Sequence, residues 1–573
     1  MADSGGGDCC SPRLPDDALF LGLDCSTQSL KATVLDAGLG IVATDSVHFD
    51  SDLPPYGTHG GVRRDPAERG RIVSPPLMWA EALDLLLARL RPRADLRRVA
   101  AVSGSAQQHG SVYWARGAGA ALAALDPAGS LATQLAGAFA SPESPVWMDS
   151  SSAAQCREVE AAMGGPLQLA ALTGCRAHER CTGPQIRKMY QTRPKVYDAT
   201  ERVSLVSSFM ASLLVGGYVC IDETDGAGMN IMDIATRQLR EDALQATAPN
   251  LEERIGKLAP AHAVAGKISP YFVQRFQFAS SCLVIQWSGD NPNTLAGLTL
   301  SNPGDLAISL GTSDTVFGIT DSPEPTLEGN IFPNPVDPKT YMVLLCYKNG
   351  SLTREDLRNR YAERSWDMFN RLLEETAPLN GGKMGFYYKE HEILPPLPVG
   401  FHRYVVKNLT SGSLDEMVEE VGEFDPPSEV RAIIEGQFLS MRGHAEQCGL
   451  PVPPRRIIAT GGASSNPTIL KIMASIFGCP VYTSQRSDSA SLGAALRAAH
   501  GWLCNQQDEF VPFSSVYSGR IDRTSLSMKL AVPFGECEGD IELLNNYTLL
   551  VRKRLEIEQK LIERFNQREL SGF

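Results

Sequence analysis

Ala18-Leu19-Phe20-Leu21-Gly22-Leu23-Asp24-Cys25-Ser26-Thr27-Gln28-Ser29-Leu30-Lys31-Ala32-Thr33-Val34-Leu35-Asp36 is the stretch on which the fold turns. Two apolar runs, Ala18 to Asp24 and Leu30 to Asp36, flank a polar turn at Cys25 to Ser29. After a second turn at Ala37 to Gly40, a third run spans Ile41 to Phe49. Short apolar runs punctuated by small polar residues predict a three-strand meander. The spacing of Leu83, Leu86, Leu87 and Leu90 predicts a helix over Pro76 to Leu90, and Arg98 to Ser103 reads as a strand ending in small polar residues.

A similar order returns in the second half. Strands are predicted at Asp305 to Leu310, Thr315 to Thr320 and Tyr341 to Lys348, with a Gly311 to Asp314 turn between the first two. A helix at Pro427 to Cys448, a strand at Arg456 to Thr460, a Gly461-Gly462 turn and a helix from Pro467 follow. The strand Pro480 to Thr483 and a helix from Ala490 complete the pattern. The two halves read as diverged copies of one αβ unit, and the period is far too long for a solenoid, so a two-lobed α/β chain is expected. Residues 1–17 read as a loose tail, Gly117 to Ser141 as an Ala- and Gly-rich surface excursion or thinly specified helix, and Tyr547 to Phe565 as a solvated terminal helix packed by one stripe.

Composition narrows the function classes. The chain has 573 residues, 43% hydrophobic and 21% charged, enough to bury sizeable cores. With 53 Lys and Arg against 66 Asp and Glu, the net charge of −13 argues against general binding to nucleic acid or to an anionic membrane. Thirteen scattered Cys with no C-x-x-C pair indicate neither a disulfide framework nor a zinc site, and a cytoplasmic location is expected. The uncharged stretch Val203 to Ile221 contains several Ser and two Gly, and reads as a buried helix running into a strand, not a membrane span.

Four segments could carry chemistry. In the first turn, backbone N–H groups and the hydroxyls of Ser26 and Thr27 could grip phosphate oxygens while Asp24 holds Mg²⁺ through water; an ordinary hairpin turn explains the same residues. Leu310-Gly311-Thr312-Ser313-Asp314 places a second Gly and hydroxyl turn at the matching position of the second half. Thr460-Gly461-Gly462-Ala463-Ser464-Ser465-Asn466-Pro467 supplies a glycine pair and a helix start, with Asn466 as N-cap and Pro467 at the first position, which suits a nucleoside or a plain strand-to-helix connection. In Trp287-Ser288-Gly289-Asp290-Asn291-Pro292, a carboxylate follows an apolar run; Asp290 either accepts a hydroxyl proton during phosphoryl transfer or merely closes a turn.

Taken together, and with Val102 to Gly110, Trp147-Met148-Asp149-Ser150 and His178-Glu179-Arg180-Cys181-Thr182-Gly183 in the same order, these segments resemble the FGGY family of carbohydrate kinases over roughly Ala18 to Leu503. The resemblance implies a two-lobed actin-like fold of the sugar kinase and Hsp70 superfamily, with ribonuclease H-like lobes and an interlobe cleft. It implies a domain at 18–302 with the sugar site and catalytic Asp, a nucleotide domain at 303–517, and a partly helical extension at 518–573. It further implies ATP- and Mg²⁺-dependent phosphorylation of D-xylulose at its 5-hydroxyl, by a monomer or homodimer. Carried over by position, Asp290 is the base, and Asp290, Asn291, His109 and Arg180 contact the sugar. Asp24 and Thr27 belong to the first phosphate motif and Gly311 and Thr312 to the second; Gly461, Gly462 and Asn466 border the nucleotide, and Trp366 packs by adenine. Residue by residue, His109 could instead be an interior histidine, Arg180 a structural ion pair and Trp366 a core residue. Cys25 stands where many members have Gly. The alternatives are a kinase for another ketose or polyol, such as ribulose or glycerol, and a catalytically silent nucleotide binder.

Overall fold

The computed structural model describes residues 13–407, 418–484, 488–517, 528–535 and 539–571. The tail expected at 1–17 lies outside them as far as residue 12, as do 518–527, 536–538 and 572–573 of the expected C-terminal extension. The chain forms two compact units. Unit 1 comprises Met1–Ser301, Phe332–Pro338 and Asp488–Asp522; unit 2 comprises Asn302–Ile331, Lys339–Ser487 and Arg523–Phe573.

Unit 1 is built on the meander, with β1 (Leu19–Cys25), β2 (Ser29–Asp36) and β3 (Ile41–His48) in antiparallel succession. The helix α1 (Pro76–Leu90) has the bounds its leucine spacing predicts, and it buries Met78, Trp79, Leu83, Leu86, Leu87 and Leu90. Each such side chain contributes about 1.5–3 kcal/mol by leaving water. The strand β4 (Val99–Ala106) then pairs parallel with β1, placing Asp24 beside Ser105. The sheet continues through β5 (Val264–Lys267) and β6 (Leu283–Ile285), and the short β7 (Ser288–Gly289) lies parallel to Ser105 and Ala106 of β4. Three parallel strands, β1, β4 and β7, therefore end side by side. Ligand sites in αβ sheets form at such carboxyl ends, because the following loops converge there.

Two helices frame this edge: α2 (Thr182–Thr192) and α3 (Val206–Val215). The uncharged stretch resolves into the end of a strand at Thr200–Leu205, then α3 with residues Val206 to Leu214 all buried, then a short strand at Ile221–Asp222. Among the described residues no helix is long and apolar enough to cross a membrane. Asp290 opens α4 (Asp290–Gly297) directly after β7. The Ala- and Gly-rich segment forms short helices at Ala118–Ala123 and Leu131–Gln134, anchored by buried Leu122 and Leu131 and by the Leu131 N–H donating to Asp84 Oδ2 at 2.7 Å.

Unit 2 repeats the scheme. The strands β8 (Asp305–Leu310) and β9 (Asp314–Thr320) form a hairpin, β10 (Asn330–Pro333) and β11 (Tyr341–Tyr347) extend it, and β12 (Arg456–Thr460) pairs parallel with β8. Beyond β12 lie β13 (Val481–Ser484) and β14 (Met528–Val532). Its helices are α5 (Ser351–Tyr361), α6 (Trp366–Glu375), α7 (Pro426–Gln447) and α8 (Pro467–Phe477).

The next helix, α9 (Ser489–Gln507), returns to unit 1 and packs across β1 and α4. The approach is so close that a Cβ on Gly22 would lie 2.1 Å from the Ser491 carbonyl, and one on Gly493 would lie 1.8 Å from the Asn293 carbonyl. Last comes α10 (Asp540–Ser571) in unit 2. Its buried stripe, Tyr547, Leu550, Val551, Arg554, Ile557, Glu558 and Leu561, follows the expected helical period but includes polar members. The Tyr547 hydroxyl donates to Glu435 at 2.7 Å, and Glu558 meets both Arg554 and His444.

Candidate active site

The strand ends of unit 1 deliver three groups to one place. Asp24, at the end of β1, is 2% exposed; its Oδ2 accepts from the Ser26 hydroxyl at 2.5 Å, while Oδ1 has no hydrogen-bond partner. Burial raises its pKa. Thr27, in the turn, accepts from the half-exposed Trp147 indole at 2.9 Å, which leaves its own hydroxyl hydrogen to donate elsewhere.

Beyond β4 comes Gln107-Gln108-His109. His109 adopts φ +71°, a left-handed conformation that costs a non-glycine residue of order 1 kcal/mol or more. It is held by Thr182, whose hydroxyl donates to the His109 carbonyl at 2.9 Å, and by the Gly228 carbonyl, 3.1 Å from Nδ1. Burial and then the charge of Arg180 push the imidazole pKa down to about 3, so the ring is neutral. A neutral ring facing a carbonyl carries its proton on Nδ1, and Nε2 is left as an acceptor. His109 is buried, as an interior histidine would be, and the Arg180 charge lies close to it.

Asp290 follows β7 at the N-terminus of α4. Its Oδ1 accepts from the Asn291 N–H at 2.9 Å and from Asn291 Nδ2 at 3.1 Å. Desolvation, with the Asp24 charge adding to it, raises the carboxyl to about 7. An acid so tuned can take up a proton near neutral pH, as a general base must. Thus Asp24, His109, Arg180, Asp290 and Asn291 are brought together within unit 1.

The remaining expected residues form a second group in unit 2. Gly311 and Thr312 lie in the turn after β8, and Thr312 is exposed. Gly461 follows β12 with φ +82°, and a Cβ there would lie 2.5 Å from the Leu310 carbonyl, so only glycine lets the two turns meet. Gly462 borders open space. Asn466 caps α8 by accepting from the Thr468 and Ile469 N–H groups, and its amide donates to Asn370 Oδ1 on α6 at 2.7 Å. That bond joins the glycine segment to the helix that Trp366 begins. Trp366 is 37% exposed, with the Arg358 guanidinium 4.6 Å from its ring centroid, and is therefore not a core residue.

Beneath the Gly311 turn, Arg354 forms a fully buried pair with Asp314 at 2.7 Å. Arg354→Ala leaves that carboxylate unpaired and is expected to destabilise unit 2 by about 3–5 kcal/mol. A lowered urea midpoint checks this; an unchanged midpoint refutes it.

Gln108, Asp222, Asp225 and Gly228 were not legible as site residues. Asp222 and Asp225 follow the Val203 to Ile221 run, where the only sequence signal is a pair of acids after an apolar stretch. Asp225 is 2% exposed, and burial raises its pKa to about 7, with Asp222 and Asp290 adding to the effect.

Residues 143–297 match the N-terminal domain of the FGGY family of carbohydrate kinases, and residues 306–502 match its C-terminal domain. The chain is 63% identical over 553 residues to xylulose kinase 2 of Arabidopsis thaliana, covering 96% of this chain and 98% of that protein. It is 48% identical over 503 residues to xylulose kinase of Mus musculus, covering 87% of each. Among solved structures, xylulose kinase from Rhodospirillum rubrum superposes with a TM-score of 0.74 at 17% identity, over 96% of this chain and all of that one.

Proposed function

Because the chain belongs to the FGGY family of carbohydrate kinases, we propose that it transfers the γ-phosphoryl group of ATP to the 5-hydroxyl of D-xylulose, giving D-xylulose 5-phosphate and ADP. It is an enzyme, a carbohydrate kinase with the two-domain actin-like fold of its family. The observation that carries the reaction is Asp290, a carboxylate raised to about 7 at the start of α4 and oriented by two hydrogen bonds from Asn291.

In this reading the sugar 5-oxygen attacks the γ-phosphorus, the bond from phosphorus to the ADP oxygen breaks, and the hydroxyl proton passes to Asp290. Phosphoryl transfer needs little covalent help beyond positioning and charge stabilisation. His109 Nε2 accepts from a sugar hydroxyl, while Arg180 and Asn291 donate to the sugar oxygens. In unit 1 the Thr27 hydroxyl is assigned to phosphate oxygens; in unit 2 the Thr312 hydroxyl and the Gly311 backbone are assigned to phosphate oxygens, and Gly461, Gly462, Asn466 and the face of Trp366 to the nucleoside. Asp24 suits Mg²⁺ held through water, because its buried Oδ1 has no protein partner. When bound, the ion neutralises charge on the phosphate oxygens. The protein acts in the cytoplasm as a monomer or homodimer, without nucleic acid or membrane partners.

The product's ¹³C spectrum tests the assignment: splitting by phosphorus at C4 and C5 is expected, and splitting at C1 and C2 contradicts it. The pH profile tests the base. Asp290 works only when ionised, so kcat/KM for the sugar falls tenfold per pH unit below about 7 and levels off above it. A profile flat down to pH 5 would exclude Asp290 as the base.

A further inference from the structure

We propose that Asp225 is a positioning residue for phosphoryl transfer, acting through Gln108 on Asn291 and thereby on the reacting carboxylate of Asp290. The inference rests on the assignment of Asp290 as the base.

Gln108 is 4% exposed and its amide lies flat on Gly289, where a Cβ would stand 2.4 Å from its Cγ and 2.8 Å from its Nε2. Its Oε1 accepts from Asn291 Nδ2 at 3.0 Å, and the same Nδ2 donates to Asp290 Oδ1. With its oxygen so committed, the amide presents Nε2 in the other direction. Gln108 Nε2 and Asp225 Oδ1 are both buried and neither has a hydrogen-bond partner, and the two side chains are near enough for Gln108 to stabilise the Asp225 carboxylate.

Asp225 is itself fixed. Its Oδ2 accepts from the Ser207 hydroxyl at 2.5 Å, its N–H donates to Asp222 Oδ2 at 3.1 Å, and the buried Arg497 adds a favourable charge. The order Asp225, Gln108, Asn291, Asp290 is thus a directed row of neighbours, hydrogen-bonded from Gln108 to Asp290 and bringing the unpartnered donor of Gln108 near an unpartnered oxygen of Asp225. Rotating the Gln108 amide by half a turn would set its oxygen against the Asp225 carboxyl and its NH₂ against the NH₂ of Asn291. Both contacts are repulsive, so Asp225 selects the one orientation that keeps Asn291 on Asp290.

The same short segment also carries Gly228, which meets His109. This separates two roles. If Asp225 only holds the segment in place, losing it disturbs His109 and raises the sugar KM. If it positions the base, losing it lowers kcat.

The experiment measures steady-state ADP release with Mg-ATP and D-xylulose for the wild type, Asp290→Asn, Gln108→Leu, Asp225→Ala, Asp225→Asn and the double variant Gln108→Leu/Asp225→Ala. Gln108→Leu and Asp225→Ala are each expected to lower kcat about 10- to 100-fold with sugar KM within about threefold, since small misplacements of a reacting group cost this much. The double variant is expected to be no worse than about threefold below the weaker single one, because both break one chain. Asp225→Asn, which keeps an acceptor oxygen, restores most of the rate. Multiplied losses in the double variant, an elevated KM with kcat retained, or Asn no better than Ala would overturn the proposal. If Asp225→Ala does not fold, Gln108→Leu with unchanged kcat would overturn it. A wild type inactive on D-xylulose, or an active Asp290→Asn, refutes the base assignment and this inference with it; failure of the chain variants alone refutes only the inference.

Discussion

Asp290→Asn lowers kcat by about 10²–10⁴-fold, the usual contribution of a general base, and leaves ATP affinity within about twofold. The amide keeps the shape and the hydrogen bonds from Asn291 but cannot take a proton. The same change raises the unfolding temperature at pH 8. Folding lifts the Asp290 pKa to about 7, above the ordinary carboxylate value of 3.8. Between these values the folded state binds more protons than the unfolded one, so stability falls as pH rises from about 4 to about 7 and stays lowered above that. Asparagine has no such cost. Coupled ADP release, titration calorimetry with ATP, and thermal unfolding at pH 5 and pH 8 read the three effects. Nucleotide affinity falling in parallel with kcat would count against the role given to Asp290.

Gly493→Ala is expected to cost about 3 kcal/mol or more of stability and to reduce activity in whatever protein still folds. A methyl group there would stand 1.8 Å from the Asn293 carbonyl and 2.7 Å from the Gly297 N–H, both backbone atoms of α4 that cannot swing aside. Asn293 is also tied down, donating to the Gly289 and Gly104 carbonyls and accepting from Arg497. The helix must shift as a whole, and Asp290 begins it. A lowered urea midpoint together with a lower kcat is the expected outcome. An unchanged midpoint would mean that α4 and α9 are not packed backbone to backbone.

The elements with a strong period were legible in the sequence. The helix Pro76–Leu90 and the strands Asp305–Leu310 and Arg456–Thr460 have the bounds that the apolar spacing predicts, and Asn466 caps its helix as the Asn-Pro pair suggests. Local pattern decides these, so local reading finds them. What it missed depends on partners far apart in the chain. Nothing near Ser489 says that α9 packs on β1, more than 450 residues earlier. The Gln108 link to Asn291 spans 183 residues. Nor does the charge of Arg554 and Glu558 announce that they are buried, since a helix stripe of mixed character reads as solvated until its ion partners are known.

The central claim is sugar phosphorylation with a preference for D-xylulose, and initial rates of ADP release test it most directly. Purified protein with Mg-ATP would be offered D-xylulose, D-ribulose, L-ribulose, glycerol and gluconate in turn. The expected result is turnover with the highest kcat/KM for D-xylulose, lost in Asp290→Asn. Equal or faster turnover of another sugar would contradict the substrate, and ADP release independent of any sugar would contradict the kinase reading itself.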